Sequence, residues 1–386
     1  MSVITRERAE QILAELVAIP SVNPMDRPYT GTVPVERAVI EYLEALLTPY
    51  GVAMTRQAVS ATHENLLVTL PGEASGPATL FEAHIDTVPA EDWPDRAFTP
   101  RVEGDRLYGR GACDDKASLT AMLLAVIDLL ESGSRPPQPV LLLAAGDEEH
   151  GQSGIACFRE AGIDIARGIF GEPTNLAPIV QHKGVLRWDI TVHGKSAHSS
   201  RPELGLNAID GAVAVIGALR AHQEALQRDY TSPLLTGPTL TVTMIHGGRI
   251  RNAVPDECTL SVDFRVPPGM ALEAAHAAVV DQVSRLGWQV THHPPQAAAP
   301  ALNTPPDHPF AQQVLAICQR HAGSGIRLEG APYGTDAAWI ADRAPALVLG
   351  PGSIATAHAV DEHVDLNEVV TCARIYREIL LANPLP

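Results

Sequence analysis

The chain has 386 residues, of which 45% are hydrophobic and 19% are charged, a composition typical of globular proteins rather than of disordered chains. With 28 Lys and Arg residues against 45 Asp and Glu residues, the net charge is −17, which argues against binding to nucleic acid or to anionic membrane surfaces. No apolar run approaches the ~18 residues of a membrane span, and the N-terminus lacks the apolar stretch of a secretory signal.

The predicted elements begin with two helices. Ile12, Leu13 and Leu16 share one face of the first, and a second apolar pattern runs from Val35 until Gly51 ends it. Short apolar runs predict strands at residues 65–70, 78–83, 140–145, 168–170 and 346–349, and helices are predicted at residues 117–130 and 154–161. Continuous apolar strands that alternate with helices predict an α/β domain with a mostly parallel sheet covered on both faces.

The pattern changes between residues 181 and 296. Strands are predicted at residues 185–192, 239–245, 258–265 and 288–292, and helices at residues 207–222 and 271–286. This βαββαβ order predicts a ferredoxin-like domain inserted into the first one. We therefore expect a discontinuous catalytic domain at residues 1–180 and 297–386 and an inserted domain at residues 181–296, with a Pro- and Ala-rich return segment at 294–306.

Polar clusters follow several of the apolar strands. In order along the chain, they are His84 with Asp86, Asp147 with Glu148 and Glu149, Glu172 after Gly171, and His358 after Gly350. Ligands of open α/β sheets bind beyond the carboxyl ends of the strands, so these segments are expected to converge, and Asp114, just before a helix, could join them. Each cluster alone also has an ordinary interpretation, as a surface pair, a solvated turn or a helix cap.

The pooled side chains are two imidazoles and several carboxylates without a thiolate, a set that suits zinc, cobalt or manganese. With one carboxylate shared, they could hold two ions ~3.5–4 Å apart. The five cysteines are scattered and contain no C-x-x-C pair. We therefore expect neither a disulfide framework nor a thiolate zinc site, and we expect a cytoplasmic protein.

Longer motifs resemble a known family, the dinuclear zinc amidohydrolases that include acetylornithine deacetylase, succinyl-diaminopimelate desuccinylase, aminoacylase and carboxypeptidase G. The resembling stretches are FEAHIDTVPA (81–90), LYGRGACDDKAS (107–118), LLLAAGDEEHG (141–151), FGEPT (170–174), VHGKSAHSSRPELGLNAI (192–209), IRNAVPDECTLSVDFRVPPG (250–269), YGTDA (333–337) and LVLGPGSIATAHAVDEH (347–363). They span most of the chain in family order, and the last stretch is most similar to the acetylornithine deacetylase branch.

The resemblance implies a zinc-peptidase-like catalytic domain, an inserted lid and dimerisation domain, and a role for each matching residue. Metal ligands are implied at five positions: His84 and Glu172 on one ion, Glu149 and His358 on the other, and Asp114 on both. Glu148 would be the general base, and Asp86 would hold the far nitrogen of His84. In the inserted domain His198 would stabilise the oxyanion. Substrate contacts are expected from Asn252, Arg265, Gly334, Thr335 and Ser353.

One departure from the family pattern lies beside the metal ligands. Asp115 stands where the family commonly carries methionine, and an extra carboxylate there could alter metal affinity. Cys113 stands where a small residue is usual, and we interpret it as an apolar filler rather than a ligand.

The resemblance implies hydrolysis of the amide of an N-acyl amino acid by a homodimer, with N-acetyl-ornithine as the favoured substrate and arginine biosynthesis as the setting. Succinyl-diaminopimelate, other N-acyl amino acids and an N-formyl amine remain as alternative substrates. The competing class is a non-catalytic family member that binds small molecules in the same cleft. The complete ligand set together with Glu148 argues against that class, because a binding protein needs no base.

Overall fold

The computed structural model describes residues 3–25, 27–91, 93 and 96–383. Its contacts separate the chain into two compact units. The first comprises Met1–Val180, Thr304–Glu329 and Thr335–Pro386, and the second comprises Gln181–Asn303 and Gly330–Gly334. Within the described ranges, no helix combines the length and the apolar character that crossing a membrane requires.

Helices and strands are numbered in chain order. The helices are α1 (Arg6–Val17), α2 (Arg37–Leu47), α3 (Lys116–Ser132), α4 (Ser153–Glu160), α5 (Ala208–Asp229), α6 (Leu272–Ser284), α7 (Pro309–Ala322) and α8 (Leu366–Leu381). The strands are β1 (Ala53–Ala58), β2 (Glu64–Leu70), β3 (Ala78–His84), β4 (Arg101–Glu103), β5 (Arg106–Tyr108), β6 (Val140–Ala145), β7 (Ile165–Phe170), β8 (Ile179–His182), β9 (Gly184–His193), β10 (Ala197–His198), β11 (Thr239–Gly247), β12 (Ala253–Val254), β13 (Glu257–Val266), β14 (Gln289–His292), β15 (Ala297–Ala299), β16 (Leu302–Asn303), β17 (Glu329–Ala331), β18 (Ala346–Val348) and β19 (His363–Asp365).

The central sheet of the first unit places its strands in the order β1, β2, β6, β3, β7, β18. The inner four are parallel to one another, whereas β2 pairs with both β1 and β6 in the antiparallel sense. Every residue of β3 and of β6 is buried, as expected for parallel strands covered on both faces. The predicted α/β class with a mostly parallel sheet is therefore confirmed. Strand β1 was not predicted from the sequence, because its residues are mostly exposed and it lacks an apolar run.

Three helices of the first unit pack together, α1, α3 and α8, and α3 also contacts β3. The ammonium of Lys116, at the start of α3, is buried and donates hydrogen bonds to the main-chain oxygens of Leu16 at 2.9 Å and Ile19 at 2.8 Å. These bonds connect the start of α3, two residues after Asp114, to the end of α1. Helices α7 and α8 are additional to the elements predicted from the sequence.

The second unit contains the elements β9, α5, β11, β13, α6 and β14 in chain order. Its strands lie in the order β11, β13, β9, β14, and each neighbouring pair is antiparallel. Asn207 caps α5 by accepting a hydrogen bond from the Ile209 N–H, and the helix continues to Asp229, beyond the predicted end at residue 222. The two helices and the sheet enclose an apolar core that includes Trp188, Val215 and Phe264. The role of this unit as a lid stays a prediction.

Candidate metal centre and active site

The polar side chains that follow the parallel strands of the first unit come together. His84 is the last residue of β3, while Glu149 and Glu172 follow β6 and β7 by a few residues. Two groups of potential ligand atoms lie within 4.8 Å of one another: His84 with Glu148 and Glu172, and His84 with Asp114 and Glu149. The convergence follows from the parallel order, since the carboxyl ends of β6, β3 and β7 lie at the same sheet edge.

The Asp114 carboxylate lies between two imidazoles. Its Oδ1 is 3.0 Å from His84 Nε2 and its Oδ2 is 3.2 Å from His358 Nε2. His358 Nε2 is also 3.2 Å from Glu149 Oε1. Burial would raise the pKa of Asp114, but hydrogen bonds from His358 and His84 outweigh it and hold the pKa below its ordinary value. One carboxylate that presents a different oxygen to each imidazole has the geometry of a bridge between two cations.

The other nitrogen of His84 is held by the main chain. Nδ1 donates to the main-chain oxygen of Asp86 at 3.0 Å, whereas the nearest oxygen of the Asp86 carboxylate is 3.7 Å away. The main-chain oxygen of Asp86, and not its carboxylate as we expected, therefore accepts the hydrogen bond from His84 Nδ1. A carbonyl and a carboxylate would both hold the proton on Nδ1. In this tautomer Nε2 carries no proton and can bind a cation.

The Asp86 carboxylate instead supports the turn that follows β6. Its Oδ1 accepts the Glu148 N–H at 3.1 Å and its Oδ2 accepts the Glu149 N–H at 3.3 Å. The buried amide of Asn23 donates to Asp86 Oδ2 at 2.8 Å and to Asp147 Oδ1 at 3.0 Å. Sequence reasoning missed Asn23, since its two partners are 63 and 124 residues away and no local pattern connects them.

Glu148 faces the cluster from this turn. Burial raises the pKa of its carboxyl to about 8, and the neighbouring carboxylates add to the effect. Gln152 Nε2 donates to Glu148 Oε1 at 3.2 Å, which leaves Oε2 for another partner. Glu149 is held by the Val88 N–H, which donates to its Oε1 at 3.2 Å. The adjacent carboxylates of Glu148 and Glu149 therefore contact different groups.

Further buried acids surround the cluster. Asp115 is wholly buried, and Glu82 and Asp336 are at most 2% exposed. Among the described residues, neither Asp336 oxygen nor Glu82 Oε1 has a hydrogen-bond partner, and burial raises the pKa of both carboxyls. Sequence reasoning had singled out only Asp115 of these three. Buried acids at this density are stabilised either by protonation or by a compensating positive charge.

The donor set fits two divalent cations. His84 and several carboxylates supply facing ligand atoms, and His358 adds a second imidazole next to Asp114 and Glu149. These ligand types suit zinc, manganese or cobalt, and the shared Asp114 suits a pair of ions. Cys113 is buried, and its thiol donates to the main-chain oxygen of Ser353 at 3.5 Å. The sulfur thus makes structural contacts, as expected for a filler.

The structure gives Thr335 and Ser353 local structural contacts. Thr335 Oγ1 accepts the Ala337 N–H at 3.3 Å and caps the 3₁₀ segment Asp336–Trp339. Ser353 Oγ accepts the Ala355 N–H at 3.3 Å within its own loop. Their substrate contacts stay predictions.

In the second unit, His198 is exposed on the short strand β10, where it pairs with Ala253 of β12. The Ser200 N–H donates to His198 Nδ1 at 3.2 Å, so the proton of the neutral imidazole lies on the exposed Nε2. Asn252 is exposed as well, and its main-chain oxygen accepts the Ser199 N–H at 3.0 Å.

Arg265, on β13, forms an ion pair with an acid of the same strand. Its Nε donates to Asp263 Oδ1 at 2.8 Å, and Arg187 donates to the other oxygen of the same carboxylate at 2.7 Å. About a quarter of the Arg265 side chain remains exposed (25%). The pairing orients the guanidinium without burying it fully.

Comparisons with known proteins bear on both the fold and the site. An acetylornithine deacetylase from Photorhabdus laumondii is 32% identical over 383 residues, covering 96% of each chain. Two solved structures share the fold: aminopeptidase PepT from Bacillus cereus (TM-score 0.80, 21% identity, 97% of this chain and 98% of that one) and a dinuclear metal-binding peptidase of the M20 family from Bacillus subtilis (TM-score 0.72, 16% identity, 97% of each).

The sequence profile of Peptidase family M20/M25/M40 matches residues 80–382. This match covers most of the chain and contains the whole cluster from His84 to His358. The chain is therefore a member of the M20/M25/M40 family of metal-dependent hydrolases.

Proposed function

We propose that this protein is a deacetylase that hydrolyses the amide of N-acetyl-ornithine to ornithine and acetate. The observation that carries the chemistry is the Asp114 carboxylate between the imidazoles of His84 and His358, with Glu148 beside it. The acyl group and the amine are inferred from relatives, since curated proteins named acetylornithine deacetylase are 31–32% identical over 92–96% of this chain.

We assign two divalent ions, preferably zinc, to the cluster. His84 and Glu172 would bind one ion, Glu149 and His358 the other, and Asp114 both. This division is supported by the proximity of His84 to Glu172 and by the 3.2 Å distances from His358 Nε2 to Asp114 and to Glu149. When bound, the two ions would lower the pKa of water and polarise the amide carbonyl. Cobalt and manganese suit the same ligands.

Glu148 would act as the general base and then as the acid. Gln152 donates to its Oε1 and so orients the side chain. The carboxylate would take the proton from the attacking water and return it to the leaving amine nitrogen. Asp86 and Asn23 would hold the turn so that Glu148 and Glu149 keep their separate directions. General acid–base catalysis of this kind contributes ~10²–10⁴ to the rate.

The second unit would supply substrate contacts. His198 is exposed, and its Nδ1 accepts the Ser200 N–H, which leaves the proton of the neutral imidazole on Nε2 as a donor to a developing oxyanion. Arg265 carries a guanidinium, which suits bidentate binding of a substrate carboxylate, and Asn252 offers an exposed amide. In the first unit, Thr335 and Ser353 would contact the substrate.

We also propose that two copies associate through the second unit. Within the described residues, β11 pairs only with β13, so its outer edge is open. Met244 and Ile245 on this strand are 54% and 50% exposed, and nearby Ile250 is 63% exposed. An open edge with apolar side chains is suited to pairing with a second copy.

A place in arginine biosynthesis would put the protein in the cytoplasm. The five cysteines support this location, because all are free thiols and free thiols persist in a reducing compartment.

The test is a substrate screen of the zinc- or cobalt-loaded protein with N-acetyl-ornithine, N-acetyl-methionine, N-succinyl-diaminopimelate and an N-formyl amine. We expect the highest kcat/KM with N-acetyl-ornithine. A clear preference for another amide would retain the chemistry and replace the substrate. Saturable binding of these compounds without hydrolysis of any would indicate the non-catalytic class.

A further inference from the structure

The side chain of Glu362 lies wholly buried against the turn that carries Asp114. One oxygen, Oε1, accepts the main-chain N–H of Cys113 at 2.9 Å and of Asp114 at 3.0 Å. The other oxygen, Oε2, is paired with the guanidinium of Arg110, which is 4% exposed. Among the described residues, Glu362 is in neither of the two groups of potential metal ligands.

This contact constrains the direction of the Asp114 side chain. Two consecutive N–H groups that donate to one charged oxygen fix the orientation of the peptide planes on which Asp114 stands, and hydrogen bonds to a carboxylate are among the stronger ones in proteins. The orientation matters because Asp114 must reach His84 with one oxygen and His358 with the other. Asp86 supports Glu148 and Glu149 in the same manner.

Glu362 also belongs to the chain segment that carries His358, four residues earlier. The main-chain oxygen of Glu362 accepts the Gly109 N–H at 3.1 Å, and Thr356 Oγ1 lies 3.3 Å from Cys113 Sγ. The segment is therefore fastened to the Asp114 turn at three points. The His358 side chain is about half exposed, and these contacts hold the segment that carries it.

We propose that Glu362 is a positioning residue that fixes the spacing between Asp114 and His358 and thereby the affinity for both metal ions, with Arg110 balancing its charge. The inference rests on the proposed function, since it requires Asp114 and His358 to be ligands. A buried ion pair contributes little net stability compared with an apolar pair of equal volume. Stability alone therefore gives little reason for Glu362 to be charged, whereas a charged oxygen holds two N–H groups more strongly than a neutral one.

The chain offers a matched control for the test. Asp128 lies on α3, the helix that follows Asp114. It is 4% exposed, accepts the Val3 N–H at 3.0 Å and pairs with Arg377. It stands 12 residues after Lys116, about 18 Å along the helix at ~1.5 Å per residue. It therefore shares the chemistry of Glu362 without touching the Asp114 turn.

The experiment compares Glu362→Gln with Asp128→Asn in the full-length protein. Cobalt and zinc affinities are measured by competition with a chromogenic chelator, ions per chain by elemental analysis, and melting temperature in the ion-free state. Partners of metal ligands typically contribute ~10–100-fold to affinity. We expect a loss of this size for Glu362→Gln and an altered cobalt absorption spectrum. Asp128→Asn should lower only the melting temperature.

Unchanged affinity and spectrum in Glu362→Gln would overturn the inference, as would an equal loss of affinity in Asp128→Asn, which would trace the effect to general destabilisation. Should Glu362→Gln fail to fold, Glu362→Asp replaces it, since that change keeps the charge but withdraws the carboxylate from the two N–H groups. It too must weaken metal binding. A wild-type protein that binds no ions would contradict the proposed function itself, whereas two ions bound with equal affinity by wild type and variant would contradict only the role of Glu362.

Discussion

Glu148 and Glu149 are adjacent, yet their replacement by glutamine should have different consequences. Glu148→Gln keeps the volume of the side chain but cannot accept a proton from water. The amide of the variant keeps an oxygen that can still accept the hydrogen bond from Gln152, so the turn should be undisturbed. We expect kcat to fall by ~10²–10⁴, equivalent to about 3–5 kcal/mol, with both ions still bound.

Glu149→Gln should act on metal binding instead. Glu149 Oε1 lies 3.2 Å from His358 Nε2, and the change leaves only His358 and Asp114 as charged or imidazole ligands of that ion. An anionic ligand attracts a divalent ion more strongly than a neutral amide does, although the amide oxygen of the variant can still bind. We therefore expect affinity for one ion to fall by ~10–10³-fold, and excess metal to restore part of the activity.

The assay measures ions per chain by elemental analysis and kcat with N-acetyl-ornithine over a range of free zinc or cobalt. The melting temperature of each ion-free variant checks that the fold is intact. Loss of an ion in Glu148→Gln, with both ions retained in Glu149→Gln, would reverse the assignment. Wild-type turnover in both variants would place the reaction elsewhere.

Three further predictions follow from other contacts. His198→Ala should lower kcat by ~10²–10³ with unchanged metal content, the usual effect of losing one oxyanion donor; wild-type kcat would make His198 a loop residue. Asn23→Ala should weaken metal binding and turnover, because Asp86 and Asp147 lose their shared donor, whereas Asn65→Ala, at a buried amide that bonds the main chain of Gly146 and Gly154, should affect stability alone. His292 accepts a hydrogen bond from Trp188 Nε1, and burial, with His276 nearby, lowers its pKa to about 4. Since the unfolded state binds the proton first, stability should fall by about 1–2 kcal/mol as pH drops from ~6.5 to ~4, and His292→Gln should reduce that slope in thermal unfolding.

The fold could be predicted from sequence wherever burial leaves an unbroken apolar run. Strand β6 has the predicted bounds, Val140–Ala145, and β3 exceeds its prediction by only one residue, His84. Strand β1 is mostly exposed and pairs at the sheet edge, so its sequence carries no such run. Element ends were less predictable, as the seven extra residues of α5 up to Asp229 show.

The candidate site was predictable to the extent that its residues follow strands. His84, Glu149 and Glu172 were identified by that rule, and the structure brings them together. Residues that support the site without following a strand left no such signal. Asn23 and Glu362 hold turns more than 60 residues distant in sequence, and only three-dimensional proximity reveals them. The same holds for the Asp86 carbonyl, since a sequence cannot distinguish it from the carboxylate of the same residue.

The most direct test of the account is the metal content of the purified protein, measured together with hydrolysis of N-acetyl-ornithine before and after exhaustive chelation. We predict two divalent ions per chain, loss of turnover on chelation, and recovery when zinc or cobalt is returned. A protein that holds no metal and keeps its turnover after chelation would contradict the account.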